Sequence, residues 1–253
     1  EMVDLNSGRA QADHWVRGAC QYGVMPANGL MYAPPHSCAC YIKSKIIGFN
    51  ALAPARSDES GPDYEQPSNE LVRGPAYGNV TSKSPGDDDW PTYRHDGSRS
   101  GTAGCAAPDR LGTLWKTSLG GTLSSPVVAG GRMFVASRDT FAVHALDSKT
   151  GKPLWSHTAG AEVDSPPTVH NGHVLFGSAD GWVYCLRASD GKLAWKFRAA
   201  PQKRMIVDRD RVESTWPVPG NVLVRDGIAF FVAGRSSYLD GGMYLYGLDP
   251  ERG

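Results

Sequence analysis

The chain has 253 residues with 26 basic and 26 acidic side chains, and its net charge of zero argues against a long electrostatic surface for nucleic acid or for an anionic membrane. Hydrophobic residues make up 40% of the chain and are interrupted by 30 glycines and 18 prolines, which favours an all-β repeat fold of many short strands. No apolar run approaches the roughly 18 residues needed to span a bilayer, so direct membrane insertion is not expected.

Residues 1–52 are predicted to form part of an upstream repeat unit. Asn28-Gly29 is typical of a tight β-turn, and a strand is predicted after it from Leu30 to Pro34. Ile46 to Leu52 alternates in the same way as Phe141 to Leu146 further along the chain, which predicts another strand. The chain starts without a signal peptide and stops within a motif, so we expect it to be a fragment of a longer protein.

Three of the five cysteines, Cys20, Cys38 and Cys40, lie in this first region. The single residue between Cys38 and Cys40 does not match common zinc sites, and a covalent haem needs Cys-x-x-Cys-His. We therefore favour a disulfide from Cys20 to Cys38 or to Cys40, formed in an oxidising compartment, over the alternative of a metal site. The cysteine left over has no assigned role.

Residues 53–89 are rich in Pro, Gly, Ser, Asp and Glu and have little apolar periodicity. Such a composition cannot bury much apolar surface. The segment is predicted to be a surface insertion or a linker.

Residues 90–253 carry an internal repeat. Trp115, Trp155 and Trp195 recur at intervals of 40 residues, and Gly151 and Gly191 are separated by the same 40 residues. Several features sharing one period indicate a repeated structural unit rather than coincidence.

Each unit is predicted to contain four short strands joined by tight turns. A four-stranded antiparallel meander of this length cannot cover both of its own faces, whereas blades packed radially around an axis cover one another. The sequence therefore predicts a partial β-propeller of about four blades. In the second full unit the predicted strands are Ser165–His170, His173–Ser178, Trp182–Arg187 and Lys192–Phe197.

The connection between the second and third of these units is unusually long and charged, from Gln202 to Ser214. Arginine suits bidentate capture of carboxylate or phosphate, so this inter-blade loop is a candidate ligand or partner site. The alternative is a solvated loop with internal ion pairs. The candidate residues are Arg204, Arg209, Arg211, Glu213 and Arg235.

The repeat resembles the tryptophan-docking motif of pyrroloquinoline-quinone-type (PQQ-like) propellers. The two complete copies are ALDSKTGKPLW, Ala145 to Trp155, and CLRASDGKLAW, Cys185 to Trp195, and the chain ends on LDPERG, the first half of a third copy. In that family a small residue opens the motif, a glycine lies at its turn, and the tryptophan packs on the next blade. The resemblance covers residues 110–253.

This resemblance implies two functional classes, because the family contains quinoprotein dehydrogenases and non-catalytic BamB-like scaffold proteins of bacterial outer-membrane assembly. The enzymes stack their cofactor on a disulfide between adjacent cysteines and hold calcium with Glu and Asn beside a catalytic Asp. The chain has Cys38-Ala39-Cys40 instead, and no matching Glu, Asn and Asp set. We therefore expect no catalytic or metal-binding residues and no cofactor, with PQQ and calcium as the alternative.

The expected protein is a binding or scaffold module. Its partner is expected to be a protein that contacts the inter-blade loops, and its location periplasmic, envelope-associated or secreted.

Overall fold

The computed structural model describes residues 2–11, 15–18, 23–37, 40, 46–53, 69–106 and 108–253. Within these ranges every regular element is a β-strand, so no helix there is available to cross a bilayer. The strands are β1 Met2–Val3, β2 Ala10–Gln11, β3 Met25–Ala27, β4 Leu30–Ala33, β5 Asn50–Leu52, β6 Glu70–Arg73, β7 Val127–Ala129, β8 Arg132–Ser137, β9 Ala142–Asp147, β10 Pro153–Thr158, β11 Thr168–His170, β12 His173–Gly177, β13 Trp182–Arg187, β14 Leu193–Arg198, β15 Met205–Asp208, β16 Arg211–Ser214, β17 Leu223–Arg225, β18 Ile228–Ala233 and β19 Tyr244–Leu248.

The strands form antiparallel blades, which confirms the predicted all-β propeller fold. Blade 1 is the meander β7–β10, blade 2 is the meander β11–β14, and blade 3 contains β17, β18 and β19. An upstream sheet of three strands, β3–β5, precedes them, and β1 pairs with β2. The turn at Asn171-Gly172 has positive φ at both residues, as a two-residue hairpin requires.

Blade 2 has both faces covered because it lies between two neighbours. All five residues of β12 are buried, and they alternate between two cores. Val174 and Phe176 pack in the core shared with blade 1, while Leu175 packs in the core shared with blade 3. In each core two aromatic rings stack nearly parallel, Phe176 on Tyr184 at 5.3 Å in the first and Phe231 on Tyr246 at 5.5 Å in the second.

A segment of irregular backbone, residues 90–102, lies against the innermost strands of the blades. Trp90 exchanges backbone hydrogen bonds with β7, and the carbonyl of Pro91 accepts from the amide of Val169 in β11 at 2.7 Å. The Arg99 guanidinium donates to Asn221, just before β17, at 2.7 Å. This segment therefore links all three blades near the axis.

The prediction of a linker over residues 53–89 omitted one strand. In the described part of that segment, β6 pairs antiparallel with β14 and adds a fifth strand to blade 2, with Leu71 opposite Phe197. An ion pair from Glu70 to Arg198 at 3.4 Å supports the same pairing. Four residues with only two apolar side chains are too short to produce a recognisable period, so the sequence did not indicate this strand.

Two predicted strands differ in the structure. The strand expected over 46–52 is confined to Asn50–Leu52. Residues 111–119, which the repeat also predicts to be an outer strand closing onto a blade, form no strand, and Leu111 and Leu114 are exposed there because no described strand pairs with this segment.

The repeated tryptophans contact the turns of the following blade. Trp155 donates its indole N–H to the carbonyl of Ala188 at 3.0 Å, and its ring covers Gly191 so closely that a Cβ at that glycine would lie 2.6 Å from the ring. Trp115 donates equally to the carbonyl of Ser148 at 3.0 Å and covers Gly151. That these contacts set the spacing of the blades remains a prediction.

The prediction is tested by replacing Gly191 with alanine. Gly191 has φ +72°, and Gly227 has φ +74° with no atom within 4 Å of its added Cβ, so Gly227→Ala is a matched control. We expect Gly227→Ala to cost about 1 kcal/mol, from the left-handed backbone alone. Gly191→Ala is expected to cost about 3 kcal/mol, because it also displaces the indole. Urea unfolding measures both, and equal losses would contradict the docking role.

Candidate functional site

The charged connection from Gln202 to Ser214 contains a β-hairpin, which differs from the predicted loop. Strands β15 and β16 pair in register from Met205–Ser214 to Asp208–Arg211. The two turn residues, Arg209 and Asp210, have φ of 49° and 60°, as a type I′ turn requires. Arg-Asp is an uncommon pair at such a turn, so the turn was not recognised from the sequence.

The inner face of this hairpin is held by a buried ion pair. The Asp208 side chain is 2% exposed, and one of its oxygens lies 3.0 Å from Arg235 of blade 3. Its other oxygen accepts the backbone N–H of Ile47 at 2.6 Å. Arg235 also lies 3.3 Å from Glu213 on β16. A charge this deeply buried is retained when it is paired and hydrogen-bonded, as Asp208 is.

A second set of ion pairs joins the hairpin to blade 1. Arg211 lies 2.6 Å from Asp139, in the turn between β8 and β9, and it also pairs with Glu162. Arg138 of the same turn pairs with the other oxygen of Glu162. The hairpin therefore bridges blades 1 and 3 at one end of the propeller.

Beneath the hairpin lies a cleft of about 480 Å³, here called the charged cleft. Four basic and four acidic side chains line it, so their formal charges balance. The charged side chains that line it are Arg138, Arg209, Arg211, Arg235, Glu162, Asp164, Asp208 and Glu213.

Four of the five predicted loop residues, Arg209, Arg211, Glu213 and Arg235, meet at this cleft. Arg204 does not: it lies 3.3 Å from Asp240 and its guanidinium stacks over Trp15 at 4.3 Å. The sequence analysis did not select the acidic partners Asp139, Glu162 and Asp208. They come from three different connections, and their proximity depends on how the blades pack.

The outer face of the hairpin is apolar and exposed. Met205, Val207 and Val212 are 44%, 49% and 57% exposed, and Val207 is the cross-strand partner of Val212. Exposed apolar side chains grouped on one element mark a contact surface more often than single ones do. We call these three residues the apolar platform.

The residues present do not fit a calcium-bound quinone. In the described part of the chain no group of three or more His, Cys, Asp or Glu side chains is placed to hold a metal ion. The two most enclosed acids of the charged cleft, Glu162 and Asp208, are each engaged by two arginines.

Three of the five cysteines, Cys40, Cys105 and Cys185, lie in the described part of the chain. Cys40 and Cys105 are free and exposed, so the predicted Cys20–Cys40 alternative is not formed; Cys20 and Cys38 lie outside the described residues, and a disulfide between them stays a prediction. Cys185 is free and fully buried, and burial raises the pKa of its thiol well above the ordinary value, which disfavours reactivity.

Glu213 gives a pH-dependent test of the cleft. Burial raises its pKa from 4.5 to about 7, with Arg235 acting in the opposite direction. Its contribution to stability is full below pH 4.5 and is lost as the pH rises through about 7, because the folded state holds the proton longer than the unfolded chain does. Melting temperatures of wild type and Glu213→Gln should therefore diverge between these pH values, with wild type losing stability relative to the variant. Val212→Thr keeps Glu213 and should follow wild type; parallel profiles for wild type and Glu213→Gln would contradict the raised pKa.

Comparison with known proteins places the chain in a family. The family described as outer membrane protein assembly factor BamB matches residues 99–252. A 1-butanol dehydrogenase (cytochrome c) from Thauera butanivorans is 28% identical over an alignment of 166 residues that covers 56% of this chain and 23% of that protein. BamB of Escherichia coli is 32% identical over an alignment of 104 residues that covers 35% of this chain and 26% of that protein.

The matched parts therefore span about a quarter of the length of these curated relatives. A europium-containing methanol dehydrogenase has a similar fold, with a TM-score of 0.53 at 20% identity over 66% of this chain and 31% of that one. Because the family match covers well over half of the 253 residues and the blades have the fold that the repeat predicts, the chain belongs to the bacterial PQQ-like β-propeller repeat family.

Proposed function

We propose that the chain is part of a non-catalytic binding or scaffold propeller of the bacterial envelope, and that a protein partner binds the apolar platform. The observation that carries this proposal is the contrast between the two faces of the hairpin. Its inner face is held by ion pairs to blades 1 and 3, while its outer face offers Met205, Val207 and Val212 to solvent.

A hairpin fixed from beneath is well suited to binding a protein. Holding the apolar side chains in place before contact reduces the conformational entropy that association would remove. Apolar anchors on a rigid element, surrounded by polar groups, are the usual composition of an interaction hot spot.

The rim of the platform indicates the chemistry of the partner. Lys203 precedes β15 in the chain, and Arg209 and Asp210 form the hairpin turn; all three side chains are exposed. The platform is therefore mildly basic, and a partner surface with apolar residues and flanking acidic residues would complement it.

Similarity supports an envelope location and a scaffold role. The relatives include assembly factors of the outer membrane from several bacteria, and the matched family carries the same description. Periplasmic or envelope-associated placement of this chain follows from that similarity as part of the proposal.

The second candidate function is a quinoprotein oxidoreductase using PQQ and calcium. It is favoured by the similarity to 1-butanol dehydrogenase. The pairing of Glu162 and Asp208 with arginines argues against it, because calcium requires several converging oxygen ligands that no cation already neutralises.

The partner proposal is tested by photo-crosslinking in cells. A photoreactive amino acid at position 212 should give one discrete crosslinked product, whereas the same residue at position 154, an exposed leucine on β10, should give none. Val207→Asp should reduce the product at least about fivefold, since loss of an interface anchor costs more than about 1 kcal/mol. Equal crosslinking at the two positions, or no effect of Val207→Asp, would rule out the platform.

The enzyme alternative is tested with the complete protein, PQQ and calcium. We expect no saturable change in quinone absorbance and no dye-coupled alcohol oxidation. A quinoprotein alcohol dehydrogenase reconstituted in parallel is the positive control. Saturable binding accompanied by turnover would establish the oxidoreductase and overturn the scaffold proposal.

A further inference from the structure

A second cleft, of about 320 Å³, lies at the opposite end of the blades from the charged cleft. The charged cleft uses the β8–β9 and β12–β13 turns, whereas this one uses the β7–β8, β11–β12 and β13–β14 turns. Successive turns of a meander alternate between its two ends, so the clefts are separate. One wall of the second cleft is Asn79–Pro85, here called the strap.

The strap is held firmly against blade 2. The Arg187 guanidinium donates to the carbonyl of Asn79 at 2.9 Å, and the Ser84 hydroxyl donates to Asn171 at 3.1 Å. Between them the strap passes so close to Gly172 that a Cβ there would lie 2.6 Å from a strap carbonyl. The strap is therefore fixed to blade 2 at both of its ends and in its middle.

The second cleft differs from the charged cleft in its charge balance. Three cationic side chains line it, and none of its described lining residues is acidic. Arg187 is paired with Asp190 at 2.7 Å. Lys83 and Arg132 have no acidic partner among the described residues, and the Arg132 guanidinium donates a long hydrogen bond, 3.4 Å, to the carbonyl of Gly130. Two cations beside one cavity, neither of them held in an ion pair, favour an anion.

The rest of the lining is largely apolar, and the volume is at the lower end of the range for small-molecule sites. An anionic head alone would leave that apolar surface uncovered, whereas an anion joined to a short hydrocarbon group would cover it. The apolar lining residues are Val80, Pro85, Ala129, Val169 and Ala188.

We propose that this cleft binds a small amphipathic carboxylate, with its head group at Lys83 and Arg132 and its apolar part against the strap and the inner ends of blades 1 and 2. The inference does not depend on the proposed partner surface. The two sites lie at opposite ends of the blades and use different residues.

Calorimetric titration of the complete protein with octanoate tests the proposal, with octylammonium as the probe of opposite charge. We expect saturable one-to-one binding of octanoate and none of octylammonium. The double variant Lys83→Gln and Arg132→Gln should bind octanoate at least about tenfold more weakly, as loss of charge-assisted hydrogen bonds predicts.

Two controls separate binding from folding. Lys152→Gln removes an exposed lysine at the same end of blade 1 and should bind like wild type. The charge-preserving double variant Lys83→Arg and Arg132→Lys should retain most of the affinity, with an unchanged melting temperature. Absence of octanoate binding, equal binding of octylammonium, or full affinity in the double glutamine variant would each overturn the proposal.

Discussion

The faces of the blades must be covered by other blades, and this constraint governs the rest of the molecule. The four-stranded meander of blade 2 is apolar on both sides, with Phe176 facing one neighbour and Leu175 the other. Burial of apolar surface is the main favourable contribution to the free energy of folding, at roughly 25 cal/mol per Å² of apolar surface removed from water. Neighbouring blades must therefore be present in the right number and at the right spacing before either of the clefts exists.

The covered faces explain why the candidate sites lie at the ends of the blades. Side chains within the strands are occupied with packing, so only turns and connections remain to present chemistry to solvent. The hairpin β15–β16 is one such connection. Its inner ion pair between Asp208 and Arg235 is almost fully enclosed. Removing one partner of such a pair typically costs about 3–5 kcal/mol, since the other charge is left buried and unpaired. The same enclosure holds the apolar platform in a fixed position.

Sequence reasoning recovered what depends on local pattern. The 40-residue spacing of Trp115, Trp155 and Trp195 and the Asn171-Gly172 turn predicted the blades, and β13 begins and ends where its alternation does. Features that depend on three-dimensional packing were missed. Strand β6 pairs with β14 across more than 100 residues, and Glu162 pairs with Arg211 from a different connection. Local periodicity in the sequence indicates neither contact.

The added strand β6 also changes the contacts of the third repeated tryptophan, Trp195. Trp195 is fully buried, yet its indole N–H has no hydrogen-bond partner among the described residues, unlike Trp115 and Trp155. The Cys185 thiol instead lies 3.7 Å from the carbonyl of Pro250 at the equivalent turn, and Leu71 of β6 lies against Gly253. At this third copy of the motif, the apolar contact between Leu71 and Gly253 is present and the hydrogen bond from the tryptophan N–H is absent. The chain that supplies β6 continues directly into the strap, so the strand that modifies the repeat also positions one wall of the second cleft.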